Sequence, residues 1–312
     1  MKRCLRSLIP ACILILLLVR PSLSFEGARN GLLLWFNVVL PTLFPFMVFS
    51  SLLVARGGIP LLLAPLSSVL KWLHLSQNGG YSLLTGLLCG YPMGAKNTAD
   101  FMAKGQISPA EGKALMAIVS NPSPMFLAGY VYARMPRETI PFYRILLSVY
   151  LPLLPLFFLA RRLYRHPETS FRQTKEHVRF PNLPEKGLDC LILDNLEILV
   201  RIGGYIMLFS ILAAWIRHLL PDPLAPLFMG LSEMTTGIQA ISETIPGKAG
   251  AIAILICAVF GGLSGISQTK TVLDCAFRQR EKNAGLSIRH YIFWKLIHAS
   301  LASAIFILLS LL

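Results

Sequence analysis

Gly86-Leu87-Leu88-Cys89-Gly90-Tyr91-Pro92-Met93-Gly94-Ala95-Lys96 is the stretch on which the fold turns. The apolar run that feeds it, Tyr81 to Cys89, is too short to cross a bilayer, whose hydrocarbon core needs about 20 residues of helix. Glycine and proline at 90, 92 and 94 then stop the helix from continuing. Non-helical backbone at membrane depth is tolerated only inside protein or beside a water-filled cavity. The stretch therefore predicts a half-membrane hairpin. A faint likeness to a phosphate loop fails, because the adjacent Gly-Lys-Ser/Thr of a Walker loop is missing.

The surroundings agree with a membrane setting. Of 312 residues, 54% are hydrophobic and only 14% charged, where soluble domains carry roughly 25%. The formal net charge of +14 sits in the segments between apolar runs. That is the pattern of cytoplasmic membrane loops, and it argues against a nucleic-acid partner. Six cysteines (4, 12, 89, 190, 257, 275) are scattered without a CxxC pair, and no HExxH occurs. Neither a disulfide framework nor a metal site is expected from that spacing, and nothing calls for a cofactor.

Working outward, Leu8 to Val19 follows Lys2, Arg3 and Arg6 and reads either as a first transmembrane helix or as a signal peptide ending near Ser24. Residues 1–30 form this N-terminal segment. Gly31 to Ala55 is long enough to span, and Pro41 and Pro45 free carbonyls that need partners within the protein. Ile59 to Leu75, broken by Pro65, Lys71 and His74, reads as tilted or interfacial. Ser108-Pro109-Ala110-Glu111 is a helix start with its capping residue, first-turn proline and third-position glutamate. Asn121-Pro122-Ser123-Pro124 ends that helix, and Ile145 to Ala160 is the next apolar run. Residues 161–187 form a linker with seven basic side chains against three acidic ones up to Lys186, which the positive-inside rule puts in the cytoplasm. Beyond it come an amphipathic run to Val200, a span from Ile202 to Leu220, and Leu224 to Ile241, which holds Glu233. Ala249 to Phe260 follows, running into the Gly-rich 261–265, and the last span is Ile292 to Leu312.

These pieces predict an all-α polytopic membrane protein of two repeats, 31–160 and 188–312, each with a broken or re-entrant helical hairpin. The order of elements suggests pairing Tyr81–Gly90 with Ala249–Gly265, and Lys96 with Lys270. With the linker inside, the first repeat ends by crossing inward and the last helix runs outward, so the repeats are inverted. Inverted repeats with paired broken helices are how many secondary transporters place a site at the midplane.

The stretch from Gly86 to Lys96, together with Asn121-Pro122-Ser123-Pro124 and the pairing of Glu233-Met-Thr-Thr-Gly237 with residues 261–268, resembles the sporulation integral membrane protein family of the YlbJ type. The resemblance implies a nucleoside-recognition (gate) domain, shared with concentrative nucleoside transporters and the gate segments of the ferrous-iron transporter. It also implies the cell membrane of an endospore-forming bacterium and a link to spore cortex formation.

Glu233 is the sharpest site candidate. An ionisable group in an apolar segment costs roughly 2.5–3.5 kcal/mol to insert and faces a cavity or partner, unless it lies at an interfacial turn. The two breaks supply the other candidates: Gly90, Tyr91, Asn97, Asn121 and Ser123 from the first half, and Ser264, Ser267, Gln268 and Thr269 from the second. Helix ends there leave backbone groups free to meet a solute. The plainer alternative is that the glycines only let helices pack closely. Lys96 and Lys270 are charge-partner candidates for an anionic solute or for Glu233, or else snorkel to the headgroups. His74 and His218 read as structural. Beyond the lipid bilayer, the expected partners are a small polar solute and a coupling ion, with a second copy or other spore-envelope proteins as further candidates. Alternating access by a solute carrier is the leading expectation, a non-transporting envelope scaffold the second, and an enzyme the last, for want of paired carboxylates or a Ser/His dyad.

Overall fold

Pro41 and Pro45 shape the first long helix, α1 (Pro21–Ala55). Just before Pro41 the helix widens into a π turn over Trp35–Val39. The Thr42 hydroxyl returns hydrogen bonds to the carbonyls of Val38 (2.7 Å) and Val39 (3.1 Å), satisfying backbone in that widened turn. The computed structural model describes residues 17–136, 140–164, 187–277 and 286–311, plus a few isolated positions before residue 17. Residues 9, 10, 12 and 16 of the Leu8–Val19 run, nearly all of the linker and much of the basic stretch before Ile292 lie outside those residues.

All regular structure among the described residues is helical. α2 (Ile59–Leu73) ends at His74, and α3 (Gln77–Cys89) leaves it at 107°. A short turn, Gly90–Pro92, then leads into α4 (Met93–Ala103), which folds back along α3. α5 (Pro109–Met116) is followed by an irregular stretch, 117–123, and a helical run, 124–134. α6 (Phe142–Tyr164) closes the first half. The second half opens with α7 (Leu188–Leu219), then α8 (Leu224–Ser232), α9 (Met234–Thr244), α10 (Gly247–Phe260), α11 (Gly262–Phe277) and α12 (Ile288–Leu311).

Five of the described segments are long and apolar enough to cross a membrane: α1, α6, α7, the α10–α11 run Gly247–Phe277, and α12. Their outward faces carry exposed Leu32, Phe36, Phe49, Leu193, Leu208 and Leu308, an arrangement that suits lipid and not water. The chain is a multi-pass helical membrane protein. α1 lies along α7, and the Trp35 indole seals the contact by donating to the Leu199 carbonyl at 2.9 Å. Gly203 lies under that ring, where a methyl group would come within 2.7 Å of it. The amphipathic run and the span expected between Leu188 and Leu220 are one unbroken helix.

The hairpin of the second half differs from the expected one. α8 and α9 pack back on each other with Glu233 at their tip, whereas α10 and α11 do not fold together. Gly261 takes a left-handed conformation (φ 83°) that interrupts the helix without reversing it. In each half the chain runs through a long span, a hairpin (α3–α4; α8–α9), an interrupted helix (117–123; Gly261) and a closing span. The expected hairpin Ala249–Gly265 is not one: in the second half the hairpin tip lies at Glu233, and the Gly-rich 261–265 marks a break in a continuing helix. In both hairpins the arms meet at glycine. A Cβ on Gly94 would sit 2.7 Å from the Gly86 Cα and would also strike the Val119 carbonyl; one on Gly237 would strike the Gly230 backbone.

Candidate functional site

Gly90 has φ 78°, which only glycine adopts at little cost, and this lets the first hairpin turn tightly against the 117–123 break. The Tyr91 N–H donates to the Asn121 carbonyl at 3.1 Å, and a methyl on Gly90 would lie 2.7 Å from that same oxygen. Ser123 caps the following helical run by accepting from the Phe126 N–H at 3.2 Å. The second hairpin mirrors this arrangement: Gly262, beside the break, approaches the carbonyls of Gly230, Leu231 and Ser232. Each hairpin tip thus rests on the interrupted helix that follows it in the chain.

Tyr91 joins the two units. Its hydroxyl donates to the Ala258 carbonyl at 2.8 Å and lies 2.7 Å from the Met234 sulfur at the other tip. Glu233 is buried, at 2% exposure, and starts α9. Its Oε2 accepts from the Thr236 N–H (2.8 Å), the Thr236 hydroxyl (3.1 Å) and the Thr235 hydroxyl. The Tyr130 hydroxyl holds the Thr235 carbonyl at 2.7 Å. A carboxylate at a helix start is favoured by the free N–H groups and positive dipole end there, which offsets part of the cost of burial.

Both tips and both breaks open onto one cavity of about 60 Å³, lined among others by Gly90, Tyr91, Ser123, Glu233, Gly261 and Gln268. Val38, Val39 and Thr42, from the widened turn of α1, close it on the side of the long helices. A wider chamber of about 650 Å³ adjoins it and shares Ile202 and Gln268. That chamber carries Asp194 and Glu197 near the start of α7, the Lys96–Asp100 ion pair (2.9 Å), and Arg201, which bonds the Cys275 sulfur (2.9 Å) and Glu197.

Of the expected site residues, Gly90, Tyr91, Ser123, Glu233 and Gln268 meet at the small cavity. Asn121 lies one step behind, holding the tip through its carbonyl while its amide turns back to Ile118. Ser264 accepts from the Gln268 amide at 3.0 Å and so orients it. Asn97 braces the first hairpin through Thr85 at 2.9 Å, away from the lining. Ser267 lies outside the lining, its carbonyl taken by Thr271, and Thr269 is buried with its hydroxyl facing Tyr291. Lys96 and Lys270 are not partners of Glu233. Lys96 pairs with Asp100 one helical turn away, and Lys270 lines a separate surface hollow with Asp274 and His290. Glu233 is met by threonines instead.

Sequence reasoning missed Lys295 and His298. Both are buried in α12, where the Lys295 ammonium donates to the Ser120 carbonyl at 2.5 Å and His298 meets the Val149 carbonyl at 2.8 Å. The signal was available: an ionisable residue inside an apolar run, the rule that singled out Glu233.

No family model matches the chain, and no solved structure matches it. Over 292 residues it is 27% identical to the sporulation integral membrane protein YlbJ of Bacillus subtilis (strain 168), covering 81% of this chain and 71% of that protein. The expected resemblance extends over most of the length.

Proposed function

Because the chain groups with the sporulation integral membrane proteins of the YlbJ type, we propose that it serves sporulation from the cell membrane, binding or carrying a small polar solute between two inverted gate-type repeats. The observation that carries this reading is the convergence of two hairpin tips, two helix breaks and a buried carboxylate on one cavity. Uncapped backbone and Glu233 supply donors and acceptors in a medium where few competitors exist. Read as inverted repeats, the two halves would supply the paired elements that alternating access requires.

Size sets the state. A cavity of about 60 Å³ has room for a few waters, against roughly 300–1,000 Å³ for the pocket of a drug-sized ligand. A nucleoside-sized solute, the class the gate resemblance points to, requires a tip to move outward. The conformation described here is then the closed one, with the wider chamber as its approach. The linker is assigned to the cytoplasmic face.

The test is binding and uptake by the purified protein in proteoliposomes across a nucleoside and metabolite panel, beside Glu233→Gln. A solute-dependent signal that the substitution removes supports the reading; silence from both proteins across the panel counts against it. The smallness of the cavity favours one rival, a non-transporting scaffold for the spore envelope. In that case the basic linker alone recruits partners in co-purification, and Glu233→Gln leaves sporulation intact.

A further inference from the structure

Tyr291, Lys295 and His298 fall on one stripe of α12, at spacings that put them on a single helical face. All three are buried and none lines the small cavity; Lys295 reaches the 117–123 break through the Ser120 carbonyl. α5 ends at Met116, and the carbonyls beyond it find separate partners. The Ile118 carbonyl takes the Asn121 amide, the Asn121 carbonyl takes the Tyr91 N–H, and the Ser120 carbonyl takes the Lys295 ammonium at 2.5 Å. The same ammonium lies 5.4 Å from the centre of the Tyr91 ring. Among the described residues no carboxylate lies within ion-pair distance of Lys295. Nearby, the Asn121 amide oxygen and His298 Nδ1 are buried without a hydrogen-bond partner, and the Ser120 and Thr269 hydroxyls face Tyr291.

A helix that ends inside a membrane presents the negative end of its dipole and a set of unpaired carbonyls, and in secondary transporters such ends coordinate the coupling cation. An ammonium is a compact cation with three donors, suited to oxygen acceptors. We propose that Lys295 is a built-in cation: it occupies the place where a monovalent metal ion would otherwise neutralise the 117–123 carbonyls, so that the first hairpin tip is held shut without sodium or potassium. The Ser120 carbonyl and the unpartnered Asn121 amide oxygen, with the Ser120 and Thr269 hydroxyls close by, are oxygen donors of the kind such an ion takes. This assignment rests on the solute-site reading only for its link to transport; the cation site itself does not.

The experiment is thermal unfolding of the purified full-length protein in lithium, sodium, potassium and choline chloride at matched ionic strength, with no solute. Wild type is expected to unfold at the same temperature in all four. Lys295→Gln, which can still donate to the Ser120 carbonyl, and Lys295→Ala, which leaves space, are expected to unfold lower in choline. Either variant should then recover by about 3 °C or more, saturably, with one of the metal ions. A saturable metal-specific rise in wild type overturns the proposal, and that measurement stands even if neither variant folds. Equal losses in all four salts also overturn it, leaving Lys295 a structural side chain. Because no solute enters, a failed uptake assay and a failed cation assay remain separate results.

Discussion

The Tyr91 hydroxyl, on the tip of the first hairpin, donates to the main-chain oxygen of Ala258 at 2.8 Å, across 167 residues of sequence. That oxygen lies just before the Gly261 break, where the left-handed glycine takes the next helical N–H out of line. A side chain from one half of the protein thus completes the backbone of the other.

Tyr91→Phe keeps the ring and removes the donor, leaving a buried carbonyl unpaired at a cost of about 1–3 kcal/mol. A lower unfolding temperature is expected, with faster hydrogen exchange at residues 89–91. An unchanged midpoint and unchanged exchange would show that the tether contributes nothing.

Glu233 has two separable roles, capping α9 and facing the cavity. Glu233→Gln retains an acceptor for the Thr236 N–H and should keep most of the stability, whereas Glu233→Ala should lose about 1 kcal/mol. Denaturant unfolding of the two variants side by side checks the difference, and equal stabilities would refute the capping role.

Gly94→Ala and Gly237→Ala push methyl groups into the facing arm of each hairpin and should cost about 1–3 kcal/mol. Gly129 has nothing within 4 Å of its would-be Cβ, so Gly129→Ala is the control, expected within about 0.5 kcal/mol of wild type. Thermal unfolding of all three decides. Alanine accepted equally at all three positions would mean that the arms do not touch as described.

Orientation is tested with an impermeant thiol reagent. Cys275 lines the wide chamber and is exposed. In a protein retaining it alone, labelling should come from the same membrane face as Arg172→Cys in the linker. Ser310→Cys should react from the opposite face. Labelling of Ser310→Cys and Arg172→Cys from one face would remove the inverted arrangement.

The first hairpin was legible in the sequence because its turn needs residues with a signature: Gly90 sits at φ 78°, which other residues avoid. The second was not, because Glu233 turns the chain with φ −140°, extended backbone open to any residue. Its tip carries no glycine or proline to announce it, while the conspicuous glycines at 261, 262 and 265 mark an interruption and not a reversal. Glu233 was found through its charge; Lys295, in an equally apolar run, obeyed the same rule and was passed over. The Lys96–Asp100 pair was open to view as an i,i+4 spacing. Convergence of residues 90, 123, 233 and 268 was not, since no local pattern encodes which distant breaks meet.

Among the described residues, Ile202 and Gln268 are the wall that the broad and the narrow chambers share. The wide chamber beside the start of α7 thus comes within two side chains of the cavity that Glu233 lines, and Tyr91 and the hairpin tips form other parts of that cavity's wall. On the proposed solute reading, passage between the two chambers asks an amide to turn, whereas passage past the tips asks a whole hairpin to move, two steps that differ widely in how much structure must yield.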